Sequence, residues 1–305
     1  MIIIIVLVFL VLFLGVNEAY RRTNNYKNRY FRVSHLMNIT DNDKFDVINL
    51  GSSQPFFGFD YSKIRHLHGY NFAVYPQYFE MDYAVLQQFA NNVKKNGIVI
   101  ICISLLNFFG GGKVNANVYY PILKKKLIPG YNILSWLSYR FPLFFKPHFI
   151  RYVFKDSCPK EYEIEAHPCF AEEQYEEDAD GYIRRWNKGF GINIPSMEIN
   201  VQNKLNFQKN IRVLQDMVSF CRANELKPVF VMLPTTEYLT SRFTDLFVDE
   251  YVIKLIRQAA KDIPFLNYFG KKQYMNQEWY MSSFFLNARG RCAMTETILN
   301  DISNL

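Results

Sequence analysis

The sequence predicts an α/β protein in which helices form layers on both faces of a parallel sheet, a three-layer α/β/α domain. Short apolar runs of strand length alternate with segments of helical periodicity along most of the chain, which is typical of a parallel sheet. The chain has 305 residues, 50% hydrophobic and 21% charged, so it can bury a substantial core and is too apolar to be mainly disordered. We also expect an N-terminal membrane anchor and an irregular insertion.

The first segment is an apolar run from Ile2 to Val16, interrupted only by Gly15. As a helix it would span about 22 Å, less than the roughly 30 Å hydrocarbon layer, which is typical of a signal-peptide core or a short signal anchor. Asn17 and Ala19 do not form a small-x-small cleavage pair. We therefore expect an anchor retained over residues 1–17, with membrane contact through residues 2–16, and a stalk over 18–44.

The main domain is expected over residues 45–305. Apolar runs predict four buried strands, at Asp46 to Leu50, Ile98 to Ser104, Pro228 to Leu233 and Phe265 to Tyr268. Helical spacing or position predicts helices near Tyr61, from Asp82 to Lys95, from Leu205 to Cys221, from Val248 to Lys261 and from Ala288 to Ile302. Asn96-Gly97 is expected to separate the second helix from the second strand.

Residues from about 110 to 196 interrupt this pattern and are expected to form the insertion, with Gly110-Gly111-Gly112 as a hinge. Within it, Ile133 to Phe154 interleaves aromatic residues with Arg140, Lys146 and Arg151. This composition fits a surface that meets a membrane interface or a membrane protein, and it equally fits packing inside a large cap. No nucleic-acid-binding signature accompanies it, so we do not expect a nucleic-acid partner.

The charge of +7 is strongly segregated. Ten basic residues and no acidic ones lie between Ala84 and Lys155, whereas nine acidic residues and no Lys or Arg lie from Glu161 to Asp180. This polarity indicates either orientation against an anionic surface or two solvated faces that neutralise each other on folding.

The five cysteines include no C-x-x-C pair, so we expect no structural metal site. We expect no cofactor either. Cys158 and Cys169 could pair in an oxidising compartment. Cys102 and Cys221 are expected to be buried thiols.

Ligand sites in parallel sheets lie at the carboxyl ends of strands, here Gly51-Ser52-Ser53, Ser104 to Asn107 and Leu233 to Thr236. Four blocks include or accompany these ends: NLGSSQPFFGFDY, NFAVYPQYFEMDY, VIICISLLNFF and MSSFFLNARG. Their order and spacing resemble the SGNH/GDSL hydrolase superfamily. The nearest similarity is to bacterial envelope proteins that handle acyl groups on surface polysaccharides, including teichoic acid D-alanyl transfer proteins.

The resemblance covers roughly Asp46 to Phe109 and Asn200 to Leu305, and it implies Ser53 as nucleophile toward an ester carbonyl. In the family, an Asp and a His of the last block activate that serine, and these positions hold Ser282 and Phe285 here. The second-block glycine falls on Pro76, which has no N–H to donate. The third-block asparagine falls on Leu106, with Asn107 beside it as an oxyanion donor.

These departures predict a membrane-anchored SGNH-like protein of surface-polysaccharide O-acylation or deacylation, catalytically impaired, that binds an acylated glycan or a membrane-bound O-acyltransferase. One alternative is an active serine esterase or O-acyltransferase in which His68 or His167 activates Ser53. Another is a structural assembly subunit that docks through the basic aromatic segment.

The resemblance also implies that the domain lies on the periplasmic, extracytoplasmic side of a bacterial inner membrane. Five basic residues follow the anchor, and the positive-inside rule would place them in the cytoplasm. We give the resemblance more weight than the positive-inside rule and therefore still expect the domain on the extracytoplasmic side. The basic residues are Arg21, Arg22, Lys27, Arg29 and Arg32.

Overall fold

A computed structural model of the chain describes residues 1–111, 116–155 and 170–305. The chain divides into two compact units, Met1–Ile39 with Lys113–Tyr162, and Thr40–Gly112 with Glu163–Leu305. The segment expected as one insertion is thus divided between them. Cys158, Cys169 and His167 lie outside the described residues, so their predicted roles stay predictions.

The second unit is an α/β domain around a five-stranded parallel sheet, as the sequence predicts. The strand order is β2-β1-β3-β6-β7. A two-stranded antiparallel ribbon, β4-β5, accompanies it. The strands are β1 Phe45–Leu50, β2 Gly69–Asn71, β3 Val93–Cys102, β4 Ile192–Asn193, β5 Glu198–Ile199, β6 Lys227–Met232 and β7 Phe265–Asn267.

The helices of this unit alternate with the strands along most of its length. A five-residue π-helical segment, Asp249–Ile253, joins α12 to α13. The α-helices are α4 Ser53–Gly58, α5 Phe79–Phe89, α9 Glu172–Phe190, α10 Val201–Ala223, α11 Glu237–Thr240, α12 Asp245–Val248, α13 Lys254–Ala260 and α14 Ala288–Ser303. Short 3-10 segments lie at Ala90–Asn92, Asn107–Phe109, Lys272–Tyr274 and Gln277–Trp279.

The core forms around the sheet because its strands are apolar on both faces. Val47, Ile100 and Val229 join one buried cluster with side chains of α14, including Met294 and Ile298. Successive side chains of a strand point to opposite faces, and the alternate residues of β1 and β3 are buried as well. Continuous apolar runs of this kind are typical of parallel strands that are covered on both sides.

The structure corrects the first predicted helix, which does not lie near Tyr61. α4 begins at Ser53, directly after the turn that follows β1, and ends at Gly58. Pro55 is compatible with this early start because the first-turn N–H groups of a helix have no intrahelical acceptor. Tyr61 lies in the turn region that follows.

The prediction for residues 82–95 is wrong at both ends. α5 covers Phe79–Phe89, and β3 begins at Val93. Asn96-Gly97 does not separate helix from strand but lies inside β3, where Asn96 has a φ of +61° and the register against β1 shifts. The extra residues of β3 at this register shift have the character of a β-bulge, which accommodates additional residues without ending the strand.

The first unit is helical in its described residues. Its helices are α1 Ile2–Arg22, α2 Asn24–Asn28, α3 Phe31–Met37, α6 Ile133–Arg140, α7 Pro142–Phe145 and α8 Arg151–Phe154. Three 3-10 segments accompany them, Ala116–Val118, Lys125–Leu127 and Pro147–Ile150.

The apolar run at the N-terminus belongs to a helix longer than the 15 residues expected. α1 has 21 residues, which corresponds to about 31 Å and matches the hydrocarbon layer. The mean hydropathy of its most apolar window is 2.8, and only 6% of that window is buried. α1 is therefore long and apolar enough to be a membrane anchor or a signal sequence.

Candidate functional site

A cleft of about 250 Å³ opens at the carboxyl ends of β1 and β3. From β1 the chain moves outward to β2, and from β3 it moves outward the other way to β6, so the two strands flank the topological switch point where open α/β sheets bind ligands. The cleft is lined by Ser52, Ser53, Gln54, Pro55, Pro76, Gln77, Tyr78, Ser104, Leu105, Leu106, Asn107, Trp186, Phe190 and Phe284.

Ser53 lies at the first position of α4, directly after a sharp turn at Gly51 and Ser52. Gly51 adopts a φ of +132°, which side-chain-bearing residues rarely adopt, and an added Cβ would meet Pro55 Cγ at 2.6 Å. The Oγ of Ser52 accepts a hydrogen bond from the Gln77 N–H at 3.0 Å. Ser52 is thus held by the turn, while half-buried Ser53 faces the cleft.

Two asparagines support the short α4 from below. Asn71, at the end of β2, donates through Nδ2 to the carbonyl oxygens of Pro55 at 3.0 Å and Phe56 at 3.1 Å. Asn49 in β1 donates to Asn71 Oδ1 at 2.8 Å. These bonds satisfy carbonyls that the end of a six-residue helix leaves without a partner, so they attach α4 to the end of β2.

Pro76 lies at the exposed rim of the cleft, where the resemblance places a glycine, and Gln77 follows it at the cleft wall. The side chain of Gln77 donates to the carboxyl of Asp82 in α5, and the Gly51 N–H also acts on this carboxyl electrostatically. Asp82 is 1% exposed, and this burial raises its pKa to about 7. A buried acid therefore lies directly beneath the turn that carries Ser52 and Ser53.

Asn107 contributes a polar group from the other side of the cleft. It is buried at the start of the 3-10 turn after β3, and its Oδ1 accepts from the N–H and from the Oγ of Ser104, the latter at 2.6 Å. Because the oxygen is engaged, the amide nitrogen is the end that can donate to a ligand.

The loop that carries Asn107 is fixed by one face of α10. Asn206 Nδ2 donates to the Phe109 carbonyl at 2.8 Å, and Asn210 Nδ2 donates to those of Phe108 at 2.8 Å and Gly110 at 2.6 Å. Both asparagines are buried, so these bonds replace water at the carbonyls of the short 3-10 turn and of Gly110.

We expect Asn210→Ala to lower the free energy of unfolding by about 2 kcal/mol, because it leaves the Phe108 and Gly110 carbonyls buried without their donor. Chemical unfolding followed by circular dichroism measures this. The matched control is Asn224→Ala, which removes a bond to the Phe220 carbonyl at an exposed helix end and should change stability by less than about 0.5 kcal/mol. Equal losses in the two variants would contradict this role of Asn210.

Aromatic side chains form the remaining wall of the cleft. Trp186 and Phe190 come from α9, and the Trp186 ring meets that of Phe284 edge to face at 5.2 Å. α9 is positioned by buried Tyr175, Ala179 and Ile183, which share one helix face. The acidic residues from Glu172 to Asp180 therefore belong to a helix that places the rings of Trp186 and Phe190 at the switch point.

The two positions expected for the catalytic Asp and His lie in one turn near the cleft. Ser282 Oγ accepts the N–H groups of Phe284 at 3.2 Å and Phe285 at 3.0 Å, so its hydroxyl caps the turn. The Phe285 ring packs at 4.9 Å from Phe57, one helical turn after Ser53. It does not line the cleft itself, and the ring that does is its neighbour Phe284.

The third strand end holds this turn in place. Ser283 donates through its N–H and Oγ to Asp178 Oδ2 at 2.9 and 2.7 Å. Its carbonyl accepts from the N–H and the hydroxyl of Thr236, after β6. Thr236 is therefore a support for the Ser282 to Phe285 turn rather than part of the cleft lining.

The structure does not bring His68 to Ser53. The His68 ring donates through Nδ1 to the Lys44 carbonyl, 2.8 Å away, and the backbone N–H of His68 donates to Asp46 Oδ2 at the beginning of β1. Ser53 follows the other end of that strand, and the five residues from Asp46 to Leu50 alone span about 13 Å. His68 as a base for Ser53 is therefore wrong in this arrangement.

Acid–base and metal-binding groups are scarce at the cleft. Its lining, as far as the chain is described, includes no His, Asp or Glu, and Ser53 Oγ forms no hydrogen bond with another described residue. Nor do three His, Cys, Asp or Glu side chains converge as a metal site would require within residues 1–111, 116–155 and 170–305.

Sequence reasoning missed Gln77, Asp82, Trp186 and the asparagines of α10. The spacing of Asn206 and Asn210 on one helix face was the available signal, because two asparagines four residues apart in a helix interior need partners. Comparison with models of protein families and with curated proteins finds no match for this chain.

Proposed function

We propose that this is a membrane-anchored, SGNH-like protein that binds a neutral O-acylated glycan of the bacterial surface without hydrolysing it. The composition of the cleft carries the proposal. Hydroxyl and amide groups from Ser53, Gln77 and Asn107 meet the rings of Trp186 and Phe284 at a switch point, and no described lining residue is a carboxylate or an imidazole.

This lining suits carbohydrate chemistry. Aromatic rings offer flat apolar surfaces against which the C–H face of a sugar packs, while amides and hydroxyls exchange hydrogen bonds with sugar hydroxyls and with an ester carbonyl. A charged ligand would meet no opposite charge from His, Asp, Glu, Lys or Arg in the described lining. The ligand class best supported is therefore a neutral acylated sugar.

The surroundings of Ser53 support binding rather than turnover. A serine hydroxyl is a weak nucleophile near neutral pH without an adjacent base, and loss of triad members typically removes about 10⁴ or more in rate. Ser282 caps its own turn and Phe285 packs on Phe57, so neither position supplies a proton acceptor. Asn107 stays as a donor that could orient an ester carbonyl.

The wider assignment follows from the same resemblance. It implies layers of helices on both faces of the sheet. With α1 as the anchor and the domain on the extracytoplasmic side, the cleft would lie in the compartment where surface glycans are acylated. A membrane-bound O-acyltransferase is the proposed partner. A periplasm-dependent phosphatase fused after Leu305 should be active, and a cytoplasmic readout would reject this topology.

The direct test compares wild type with Ser53→Ala in hydrolysis of p-nitrophenyl acetate and of O-acetylated oligosaccharides. We expect the same background rate for both proteins, together with calorimetric binding of the acetylated oligosaccharides. Turnover that disappears in Ser53→Ala, with covalent labelling of Ser53 by a fluorophosphonate, would reject the proposal in favour of an active esterase.

Trp186→Ala should weaken binding of the acetylated oligosaccharide about tenfold or more, because it removes the largest ring of the cleft. Trp186→Phe should recover part of the affinity since a ring is retained. Trp279→Phe is the matched control, as Trp279 does not line the cleft, and should bind like wild type. Unchanged affinity in Trp186→Ala would place the ligand elsewhere.

A further inference from the structure

We propose that residues 133–154, the foot, sit in the lipid bilayer beside α1, so that two separate parts of the chain contact the membrane. The foot consists of α6, α7, α8 and the 3-10 turn Pro147–Ile150. The inference goes beyond glycan binding and rests on α1 acting as the retained anchor. It concerns the first unit alone.

The contacts between the foot and α1 set its depth. Phe13 lies within the apolar run of α1, and its ring meets Phe144 of the foot edge to face at 6.4 Å. Further along α1, Tyr20 stacks on Phe149 at 5.7 Å. When the apolar run is embedded in hydrocarbon, Phe144 is carried to the level of Phe13.

A buried polar residue of α1 completes this attachment. Asn17 is 3% exposed, donates to the Arg140 carbonyl at 3.1 Å and accepts from the Leu143 N–H at 3.4 Å. These bonds satisfy the Asn17 amide and backbone groups where α6 gives way to α7, as an apolar medium demands. Since Asn17 and Tyr20 are buried in this unit, α1 is part of its packing, which favours a retained anchor over a cleaved signal.

The surface of the foot is apolar where a soluble protein would be polar. Phe144 is 73% exposed and Phe154 is 83% exposed. Such a set of large exposed side chains beside a membrane helix marks a membrane contact rather than a solvated surface. The others are Ile133, Leu134, Phe145 and Ile150.

The charge of the first unit fits a leaflet that contains anionic lipid. Residues 1–39 and 116–155 hold twelve Lys or Arg and one acidic residue, Glu18. Arg140, Lys146 and Arg151 are exposed within the foot, and their long side chains can reach the headgroups while the neighbouring rings enter the apolar layer. Depth, apolar exposure and charge all favour lipid over a protein partner.

Photocrosslinking of the full chain in vesicles of phosphatidylcholine and phosphatidylglycerol tests the inference. p-Benzoylphenylalanine is introduced singly at Phe144, at Phe9 as a probe of the anchor, and at Leu246, an exposed residue of the second unit, as the matched control. The side chains at these positions are at least half exposed, so the probe should be tolerated, which circular dichroism checks. The vesicles contain no other protein.

We expect lipid adducts at Phe144 with a yield similar to that at Phe9, and no lipid adducts at Leu246. The yield at Phe144 should fall in Lys146→Gln/Arg151→Gln or when phosphatidylglycerol is omitted. Adducts at Phe9 without adducts at Phe144 would overturn the inference and point to a protein partner for the foot. Absence of adducts at Phe9 would overturn it through its premise, by showing that α1 does not enter the bilayer, and neither result bears on glycan binding.

Discussion

Replacing Gly51 with alanine should lower the free energy of unfolding by about 3 kcal/mol or more, because the change combines backbone strain with overpacking. The φ of Gly51 is +132°, and an added Cβ would lie 2.6 Å from Pro55 Cγ and 3.2 Å from Cys102 Cβ. Neither neighbour can move freely, since one is a ring in the first turn of α4 and the other is buried at the end of β3. Denaturant unfolding followed by circular dichroism measures the loss.

Gly270→Ala separates the two contributions. Gly270 also has a positive φ, +76°, but no atom lies within 4 Å of the position its Cβ would take. Only backbone strain of about 1 kcal/mol is expected there. If the two variants lose the same stability, the turn before Ser53 relaxes around the methyl group, and the rigid support inferred for the site is wrong.

The strands were predictable because their signal is local. Val99 to Cys102 and Val229 to Met232 are continuous apolar runs of strand length and rich in β-branched residues, which is typical of buried parallel strands. Helix α10 was equally visible from its periodicity. Four of the five strands of the parallel sheet, together with helices α5, α10, α13 and α14, were therefore predicted from the sequence, whereas β2 and α9 were not.

The elements that sequence reasoning misplaced depend on distant partners. α4 is six residues long, too short to be stable on its own, and Asn71 bonds its final carbonyls from the end of β2. Likewise, Lys94 enters β3 while pairing with Asp46 at 2.7 Å across the sheet. No periodicity near residues 53 or 94 encodes these contacts.

The site divides in the same way. Ser53 and Asn107 meet because both follow neighbouring strands, which the strand-end rule anticipates. Trp186 reaches the cleft from a helix more than a hundred residues after Ser53, inside a segment that the resemblance does not cover. The aromatic wall, on which the proposed ligand class rests, is thus the part of the site that only the folded chain displays.

Asp82 should make the protein less stable as the pH rises from about 4 to about 7. Burial raises the pKa of Asp82 from its usual 3.8 to about 7 in the folded state. In that interval the folded protein keeps a proton that the unfolded chain releases, so the stabilisation is complete below about pH 4 and is lost as the pH approaches 7. The difference between the two pKa values corresponds to at most about 4 kcal/mol.

Unfolding of wild type and Asp82→Asn at several pH values isolates this contribution. Asparagine keeps a side-chain oxygen that can accept from Gln77 and carries no charge, so the variant should be more stable than wild type at about pH 8 and similar to it at about pH 4. Asp216→Asn removes an exposed carboxylate of α10 and should leave the wild-type slope in place. A parallel pH dependence in wild type and Asp82→Asn would show that Asp82 is ionised at no cost.

The same measurement bears on the cleft. The Asp82 carboxyl accepts a hydrogen bond from the Gln77 side chain, and the Gln77 N–H donates to Ser52 Oγ. Two hydrogen bonds therefore connect Asp82 to the turn that presents Ser53. Its Oδ2 has no hydrogen-bond partner within the described part of the chain, and an ionised oxygen there would draw N–H groups or water toward itself. Affinity for the acetylated oligosaccharide should therefore weaken across the pH interval in which stability falls. In Asp82→Asn, this affinity should stay constant over the same interval. Affinity that varies with pH equally in both proteins would separate the buried acid from the site.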